Sequence, residues 1–349
     1  MPKRVVIAMS GGVDSSAAAC ILLRKGYDVV GVTMQIWQDE SLDEIEANNG
    51  CCGLGAVDDA RRVADTLGIP YYVLNLKSEF KKYVIDYFKT EYLRGRTPNP
   101  CIACNSYVKW ESLLKKSLAL GADYIATGHY ARISTHPKTG RLCLESVSNK
   151  DQSYALYALT QEQLSRTLLP VGEYTKPEIR ELARSNNLSV FDKPDSQEIC
   201  FVPDGNYASH IPNPAQGNFL DDTGKIIGRH NGIVHYTIGQ RKGLGAFGKP
   251  MFVRAIDAAA NTVTLSENVQ FHEMSVSNIN WMAYTPNQVP TGLSVKIRYS
   301  HNPSLCEIKI IDDNTIHCIF DEPQRAVTPG QAAVFYEGSS IVCGGIIEK

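Results

Sequence analysis

The chain lacks the features that mark membrane-spanning, exported and strongly basic proteins. None of its apolar runs reaches the roughly 18 residues that indicate a membrane-spanning helix. The opening Met-Pro-Lys-Arg-Val-Val leads directly into an apolar strand pattern and does not form a signal peptide. The formal net charge is −2, so overall charge does not indicate nucleic-acid binding. We therefore expect a cytoplasmic protein without membrane contact, in which RNA binding depends on local basic patches.

The lack of an export signal decides how the 10 cysteines are interpreted. Disulfide frameworks are typical of secreted proteins, whereas thiols stay reduced in the cytosol. Some of these cysteines are therefore expected to do chemistry. Inert packing is the default for the five in apolar or mixed strand patterns, namely Cys20, Cys143, Cys306, Cys318 and Cys343.

Apolar patterning divides the 349 residues into an α/β part and an all-β part. Strand and helix patterns alternate in the first half, which predicts a doubly wound parallel sheet with ligands at the carboxyl ends of its strands. From Gly217 onward, short strand-like runs and turns replace the helix patterns. We predict an N-terminal α/β domain at 1–208, a small β-rich domain at 209–282 and a C-terminal β-barrel at 283–349.

The most informative short motif is the run Ser10-Gly11-Gly12-Val13-Asp14-Ser15-Ser16, between a strand pattern and a helix pattern. This arrangement aims backbone N–H groups and a positive helix end at a phosphate. The run lacks the Gly-Lys-Ser/Thr ending of the P-loop in kinases and GTPases. It resembles the PP-loop of ATP pyrophosphatases, which release pyrophosphate and leave AMP on a substrate oxygen. The resemblance implies a PP-loop ATP pyrophosphatase domain at 1–208 that uses ATP and Mg²⁺, with Asp14 at the magnesium or phosphate.

A second motif presents Cys101 and Cys104 as a C-x-x-C pair after a proline-flanked loop. The prolines predict that a helix begins near Cys101, and a helix N-terminus lowers the pKa of a thiol. A structural zinc site would need a second spaced pair, which the adjacent Cys51 and Cys52 do not provide. A thioredoxin-like redox pair remains an alternative, although the proline-rich loop is unlike one.

The stretch from Lys225 to Arg254 contains Lys and Arg but no Asp or Glu, with His, Tyr and Phe interleaved. Contact with RNA phosphates is the functional interpretation, and a solvated β-hairpin face is the structural one. Glycines flank Arg241 and Lys242, which predicts an exposed loop tip.

Five motifs occur in order along the chain: SGGVDSS at 10–16, TPNPCIACN at 97–105, GHYA at 128–131, KDQSY at 150–154 and DSQEICF at 195–201. Together they resemble the tRNA-specific 2-thiouridylase family. GQRKGL at 239–244, RY at 298–299 and PGQ at 329–331 extend the resemblance over essentially the whole chain. It implies a tRNA-uridine 2-sulfurtransferase, in which ATP adenylates the C2 oxygen of wobble uridine U34 and a persulfide sulfur displaces AMP.

The resemblance also implies roles for individual residues. Cys104 matches the nucleophile, and Cys200 matches the cysteine that carries the persulfide sulfur. The matching ATP-binding positions are Ala8, Met9, Ser10, Gly11, Gly12, Val13, Asp14, Ser15, Met34 and Gly128. The matching tRNA contacts are Asn99, Pro100 and Cys101, which face the target base, and His129, Lys150, Asp151, Gln152, Arg298, Tyr299 and Gln331. The implied partners are tRNA and a sulfur donor, either a persulfide carrier protein or sulfide.

Cys101 departs from the family pattern, because well-known members carry Asp at this position. Together with Cys104 and Cys200 it makes a set of three thiols, which can hold a [4Fe-4S] cluster with one iron open to sulfide. The alternative is a Cys200 persulfide with Cys101 as an extra thiol. Protein isolated in air is compatible with a Cys104–Cys200 disulfide or with thiols in either case. The sequence leaves both mechanisms open.

Two other functions remain open at this point. A PP-loop synthetase or sulfurtransferase that acts on a small molecule needs neither paired reactive cysteines nor a basic β-rich second half. ATP–pyrophosphate exchange without RNA would favour that function. A non-catalytic RNA-binding module would not need the intact Ser10–Ser16 loop, Cys104 or Cys200.

Overall fold

The computed structural model describes residues 1–36, 54–147, 150–195, 199–202, 207–211 and 215–348. Cys51, Cys52 and residues 196–198 of the DSQEICF motif lie outside this part. The chain forms two compact units, one of residues 1–84 and 101–205 and the other of residues 85–100 and 206–349. No helix in the described ranges is long and apolar enough to cross a membrane.

The first unit is built on a five-stranded parallel sheet with the order β3–β2–β1–β4–β7. Its strands are β1 (Arg4–Ala8), β2 (Asp28–Gln35), β3 (Tyr71–Asn75), β4 (Tyr124–Ala126) and β7 (Thr167–Leu168). Between β4 and β7, the strands β5 (Arg132–Thr135) and β6 (Leu142–Glu145) form an antiparallel pair. The parallel sheet confirms the predicted α/β class.

The helices follow in chain order, and the one at Tyr87–Leu93 belongs to the second unit. They are α1 (Val13–Arg24), α2 (Leu54–Leu67), α3 (Lys77–Phe80), α4 (Tyr87–Leu93), α5 (Pro100–Ala103), α6 (Leu114–Ala119), α7 (Gln161–Ser165) and α8 (Lys176–Ser185). Two π-helical segments, Lys81–Asp86 and Cys104–Leu113, continue α3 and α5 respectively. Short 3₁₀ turns lie at Ser153–Leu156, Pro170–Glu173, Tyr207–His210, Ile233–His235 and Pro286–Gln288.

The core of the first unit lies between the sheet and helices α1, α2 and α8. Val5 and Ile7 of β1 are fully buried against residues of these helices, including Ile21 and Ile179. Alternate residues of a strand point to opposite faces, so Val6 belongs to the other face. There α6 contacts β4. Helices cover both faces of the sheet, as the doubly wound prediction requires.

The second unit is mainly β-structure. A four-stranded sheet has the order β10–β11–β8–β9 and contains β8 (Gly217–Leu220), β9 (Ile226–His230), β10 (Phe252–Asp257) and β11 (Thr262–Ser266). Six further strands follow: β12 (Gln270–Trp281), β13 (Leu293–Lys296), β14 (Ser304–Asp312), β15 (Thr315–Arg325), β16 (Ala332–Glu337) and β17 (Ser340–Ile347). Antiparallel pairing in the order β12–β15–β14–β13–β16–β17 is closed by β12–β17, which makes a barrel. The predicted C-terminal β-barrel is thus confirmed, and β12 in the predicted 209–282 region pairs with its strands.

Two leucines of the first unit give a matched test of this core. Leu22 on α1 is 1% exposed, whereas Leu120 at the end of α6 is 70% exposed. We expect Leu22→Ala to lower the free energy of unfolding by about 2–5 kcal/mol, because it leaves a cavity under α1. Leu120→Ala should change it by less than about 0.5 kcal/mol. Urea unfolding followed by circular dichroism measures both, and equal effects would contradict the assigned burial.

Candidate active site

The glycine turn at residues 10–12 connects β1 to α1. Gly11 has φ +64°, and a Cβ there would lie 2.3 Å from the carbonyl oxygen of Ala56, so only glycine fits. The Ser15 and Ser16 hydroxyls donate to the Gly12 carbonyl at 3.2 and 2.8 Å. These two hydroxyls are buried and brace the turn itself.

Two further hydrogen bonds fix the turn to its neighbours. The Thr33 hydroxyl on β2 donates to the Met9 carbonyl at 2.8 Å. The Lys193 ammonium donates to the Gly11 carbonyl at 3.0 Å and to Asp59 at 2.6 Å. Partial burial opposes ionisation of Asp59, but hydrogen bonds from Lys193 and Arg62 outweigh it and lower the pKa of this carboxyl. The backbone of the loop is therefore held before any ligand arrives.

Gly128 lies directly after β4 and against the first turn of α1. A Cβ at this position would lie 2.6 Å from the Ser15 nitrogen and 2.7 Å from the Asp14 carbonyl carbon. Met34 is buried near the carboxyl end of the neighbouring β2. The structure thus brings the predicted ATP-binding stretch 8–15 together with Gly128 at the carboxyl edge of the sheet, and Met34 lies at the same edge.

A cluster of two lysines and two aspartates, the lysine–aspartate cluster, adjoins this loop. Lys176 Nζ contacts Asp14 Oδ1 at 2.6 Å and Asp195 Oδ1 at 2.7 Å. Lys150 Nζ contacts Asp195 Oδ2 at 2.6 Å and Asp14 Oδ2 at 3.4 Å. The Tyr130 hydroxyl also donates to Asp14 Oδ1, at 2.7 Å. Three separate segments of the chain therefore converge on the carboxylate of Asp14, and Asp195 joins the cluster through the two lysines.

The cluster keeps its charges. Burial opposes ionisation of Asp195, yet hydrogen bonds from Lys150 and Lys176 outweigh it and lower the pKa of the carboxyl. Burial likewise opposes the charge on Lys150, but the hydrogen bond to Asp195 and the charge of Asp14 raise its pKa. Burial and then the hydrogen bond to Asp14 raise the pKa of Tyr130, so its hydroxyl stays protonated.

Asp151 and Gln152, which follow Lys150, make hydrogen bonds with neighbouring protein groups. Asp151 accepts hydrogen bonds from the Ser153 nitrogen and hydroxyl at 3.1 and 2.9 Å. Gln152 accepts one from the Tyr130 nitrogen at 2.9 Å. Lys150 has φ +57°, a left-handed conformation uncommon for a lysine that is often found at functional sites. The segment therefore fixes Lys150 over the cluster, and its predicted tRNA contacts stay predictions.

His129 follows Gly128 and lies between Trp110 and Thr127. Its Nδ1 is 2.7 Å from the Thr127 hydroxyl, and its ring centroid is 5.7 Å from that of Trp110. Desolvation, followed by the positive charge of Lys109, lowers its pKa well below the usual value. The imidazole is therefore neutral at pH 7 and suited to hydrogen bonding.

The cysteine motif occupies the start of a helix, as predicted. Cys101 lies in α5 and is exposed, and Cys104 begins the π-helical segment and is partly buried. Cys200 is partly buried too, and the adjacent Phe201 ring packs edge-on against Phe80 at 5.8 Å. Phe80 ends α3, which contacts the π-helical segment that begins at Cys104. The segment that begins at Cys104 and the residue next to Cys200 thus both contact α3.

The structure gives no support for a metal site at the three thiols. Among the residues that the structure describes, no group of three or more Cys, His, Asp or Glu side chains could hold a metal ion. The [4Fe-4S] cluster at Cys101, Cys104 and Cys200 therefore stays a prediction.

The remaining predicted tRNA contacts lie in the second unit. Gln331 Nε2 donates to the Thr97 carbonyl at 2.8 Å, and the Thr97 nitrogen donates to the Pro329 carbonyl at 2.9 Å. The loop at residues 329–331 thereby holds the segment that leads from Thr97 to Asn99 and Pro100. Arg298 Nη2 donates to the Ala326 carbonyl at 2.9 Å, and Tyr299 is exposed.

Arg241 and Lys242 are exposed in a turn, as predicted. Arg241 borders an open cavity of about 370 Å³, which Phe247 and Lys249 also line. This part of the predicted basic patch is therefore accessible to a polyanion.

Sequence reasoning missed the partners of Asp14. Tyr130 and Asp195 stand inside quoted motifs without a role, and Lys176 lies outside all of these motifs. One signal was available for Lys176. It occupies the first position of α8, where the helix dipole disfavours a cation, so a compensating interaction should have been expected.

Family models cover nearly the whole chain. Residues 3–204 match a model described as a tRNA methyl transferase HUP domain. Residues 206–267 match the corresponding PRC-barrel domain, and residues 271–347 match an aminomethyltransferase β-barrel domain. The fold and the three family matches together define the protein as a transferase with a HUP domain and two β-domains.

Two relatives of similar length identify the family within this class of transferases. The tRNA-specific 2-thiouridylase MnmA of Lachnoclostridium phytofermentans is 59% identical over 99% of this chain and 100% of its own length. The protein of the same name from Clostridioides difficile is 52% identical over 100% of this chain and 99% of its own length. The chain therefore belongs to the tRNA-specific 2-thiouridylase family. A solved 4-thiouridine synthetase–RNA complex with bound ATP is 20% identical over 57% of this chain and 45% of its own chain, with a TM-score of 0.35.

Gly128 offers a direct test of the site's packing. We expect Gly128→Ala to lower the free energy of unfolding by about 1–3 kcal/mol, because the new methyl group collides with the backbone of Asp14 and Ser15. Gly55→Ala is the matched control, since no atom lies within 4 Å of its Cβ position. Thermal unfolding and amide exchange at Ser15 measure the effect. Equal behaviour of the two variants would contradict the close approach of β4 to α1.

Proposed function

We propose that the protein thiolates C2 of the wobble uridine U34 of tRNA, using ATP to activate the C2 oxygen. The observation that carries the proposal is the full-length relationship to proteins named tRNA-specific 2-thiouridylase. The intact glycine turn, Cys104 and Cys200 supply the residues that this chemistry needs. The same residues disfavour a non-catalytic RNA-binding module.

ATP binds at the glycine turn in this proposal. The residues are Ala8 to Ser15, with Met34 and Gly128 beside them. Asp14 and Asp195 provide carboxylate oxygens of the kind that Mg²⁺ prefers, since Mg²⁺ is usually held by one or two carboxylates together with substrate phosphates. When bound, Mg²⁺ would offset phosphate charge.

Adenylation solves a leaving-group problem at C2. The C2 oxygen attacks the α-phosphorus of ATP, a C2–O–P bond forms, and pyrophosphate leaves. The oxygen then departs as part of AMP, which is a far better leaving group than a carbonyl oxygen. Neutral His129, next to Gly128, contacts the substrate in this proposal without adding a charge, which its lowered pKa supports.

Sulfur transfer needs two cysteines. A donor persulfide passes its outer sulfur to the Cys200 thiolate, and the donor leaves as a thiol. The outer sulfur of this persulfide attacks C2, and the C–O bond breaks with loss of AMP. The Cys104 thiolate then attacks the Cys200 sulfur, which leaves a Cys104–Cys200 disulfide and the thiolated base. An external dithiol must supply two electrons to restore both thiols.

The persulfide route is preferred here over the cluster route, because it needs only Cys104 and Cys200, and the described residues contain no group of three ligands that could hold a metal ion. Cys101, Asn99 and Pro100 then face the target base, which must leave its stack to react. Lys150, Asp151, Gln152, Arg298, Tyr299 and Gln331 remain proposed tRNA contacts, with Arg241 and Lys242 as the phosphate-binding turn.

Three cysteine variants test the route. We expect Cys104→Ser and Cys200→Ser to abolish 2-thiouridine formation on a tRNA transcript supplied with a persulfide donor, without loss of tRNA affinity. Cys101→Ser is the matched control and should retain thiolation, because the persulfide route does not use this thiol. Mass spectrometry of digested tRNA measures the product.

The cluster route predicts different results for the same variants. Protein purified without oxygen would contain about four irons per chain, and Cys101→Ser would lose both iron and activity. Iron and acid-labile sulfide determination therefore decides between the routes. ATP–pyrophosphate exchange without RNA would instead support a small-molecule substrate.

The exposed turn at 241–242 has a separate test. Arg241→Ala with Lys242→Ala should weaken tRNA binding and reduce the slope of log affinity against log salt by about 1 to 2, because up to two phosphate contacts are lost. Lys115→Ala with Lys116→Ala on α6 is the matched control, since this adjacent pair lies outside the basic patch. An unchanged slope in the first double variant would remove the turn from the interface.

A further inference from the structure

Lys176 occupies a position that a helix normally gives to a neutral or acidic residue. It is the first residue of α8, preceded by the capping residue Thr175. Glu178 completes the capping box through the Thr175 nitrogen and hydroxyl, at 2.7 and 2.8 Å. The helix start is thus fully capped without Lys176, whose positive charge is disfavoured at this end. Helix stability therefore does not explain this lysine.

The side chain of Lys176 reaches into the lysine–aspartate cluster. Its ammonium lies between Asp14 and Asp195 at 2.6 and 2.7 Å, and the side chain is only 18% exposed. Asp14 is in the first turn of α1, directly after the glycine turn. The positive ends of two helices, α1 and α8, therefore lie beside the same ammonium group.

The loop that carries Asp195 is fixed to the same helix. Arg180, one turn after Lys176, donates to the Phe191 carbonyl at 2.8 Å and to the Lys193 carbonyl at 3.1 Å. Lys193 in turn donates to the Gly11 carbonyl. Helix α8 thus sets the position of Lys176 relative to both the glycine turn and Asp195.

The charges of the cluster cancel without a ligand. Asp14 and Asp195 carry two negative charges, and Lys150 and Lys176 carry two positive charges. A polyphosphate with its divalent cation can replace these internal pairs, with phosphate oxygens on the ammonium groups and the cation on the carboxylates. The cluster can therefore exchange its internal ion pairs for ion pairs with such a ligand.

We propose that Lys176 binds the pyrophosphate part of ATP and holds the leaving group during adenylation. This inference rests on the proposed function, because it assumes that the glycine turn binds ATP. Lys193 is less suited, since it braces the Gly11 carbonyl and Asp59. Lys150 lies on a loop segment and is more exposed at 30%. Lys176 is the lysine of the three that projects from a capped helix.

Ligands of different phosphate content test the inference. Isothermal titration with Mg·ATP, AMP and inorganic pyrophosphate compares the wild type with Lys176→Met. We expect the variant to bind ATP and pyrophosphate about 10- to 100-fold more weakly, because a charge-assisted hydrogen bond is lost. AMP affinity should change less than about twofold. Lys176→Arg should recover part of the ATP affinity.

Lys116→Met is the matched control, because this lysine also pairs with a carboxylate, Glu79 at 2.9 Å, but lies on α6. It should leave all three affinities unchanged. An equal loss of ATP and AMP affinity in Lys176→Met would show a structural role and overturn the inference. Unchanged ATP and pyrophosphate affinity would overturn it too, while the proposed function would stand if the wild type still thiolates U34. Failure of the wild type to bind ATP would overturn both.

Discussion

The carboxylate of Asp14 is the point on which the site depends. It accepts hydrogen bonds from Tyr130 and Lys176 and pairs with Lys150, so it joins α1 to three segments distant in sequence. Together they fix the start of α1 relative to the carboxyl edge of the sheet, which is where an α/β fold places its ligands.

The fixed position of α1 also explains why glycine is required at two positions, one in the turn before α1 and one after β4. Gly11 approaches the Ala56 carbonyl, and Gly128 approaches the Asp14 and Ser15 backbone. Any side chain at either position would push α1 away from its partners. The buried serine hydroxyls strengthen the turn from within, so that its outward-facing groups stay available to a phosphate.

Much of this arrangement could be predicted from the chain because it depends on local signals. The strand–glycine–helix run, the helix start at Cys101, the parallel sheet and the terminal barrel all follow from short-range patterns of apolar residues, prolines and glycines. The members of the lysine–aspartate cluster could not be identified from the sequence, because Lys150 and Lys176 meet Asp14 and Asp195 only after the chain folds. The helix position of Lys176 indicated only that it needed some partner. The [4Fe-4S] cluster stays a prediction, because a set of three thiols in the sequence does not by itself establish a metal site and the described residues show none.

The central claim is that ATP activates the C2 oxygen of U34 before sulfur attacks, and an isotope label tests it most directly. A tRNA with ¹⁸O at C2 of U34 is thiolated with ATP and a persulfide donor, and the phosphorus products are examined by mass spectrometry. The account predicts one ¹⁸O atom in AMP for each 2-thiouridine formed, because the C2 oxygen leaves bonded to the α-phosphorus. Recovery of the label in inorganic phosphate or water, with none in AMP, would contradict it.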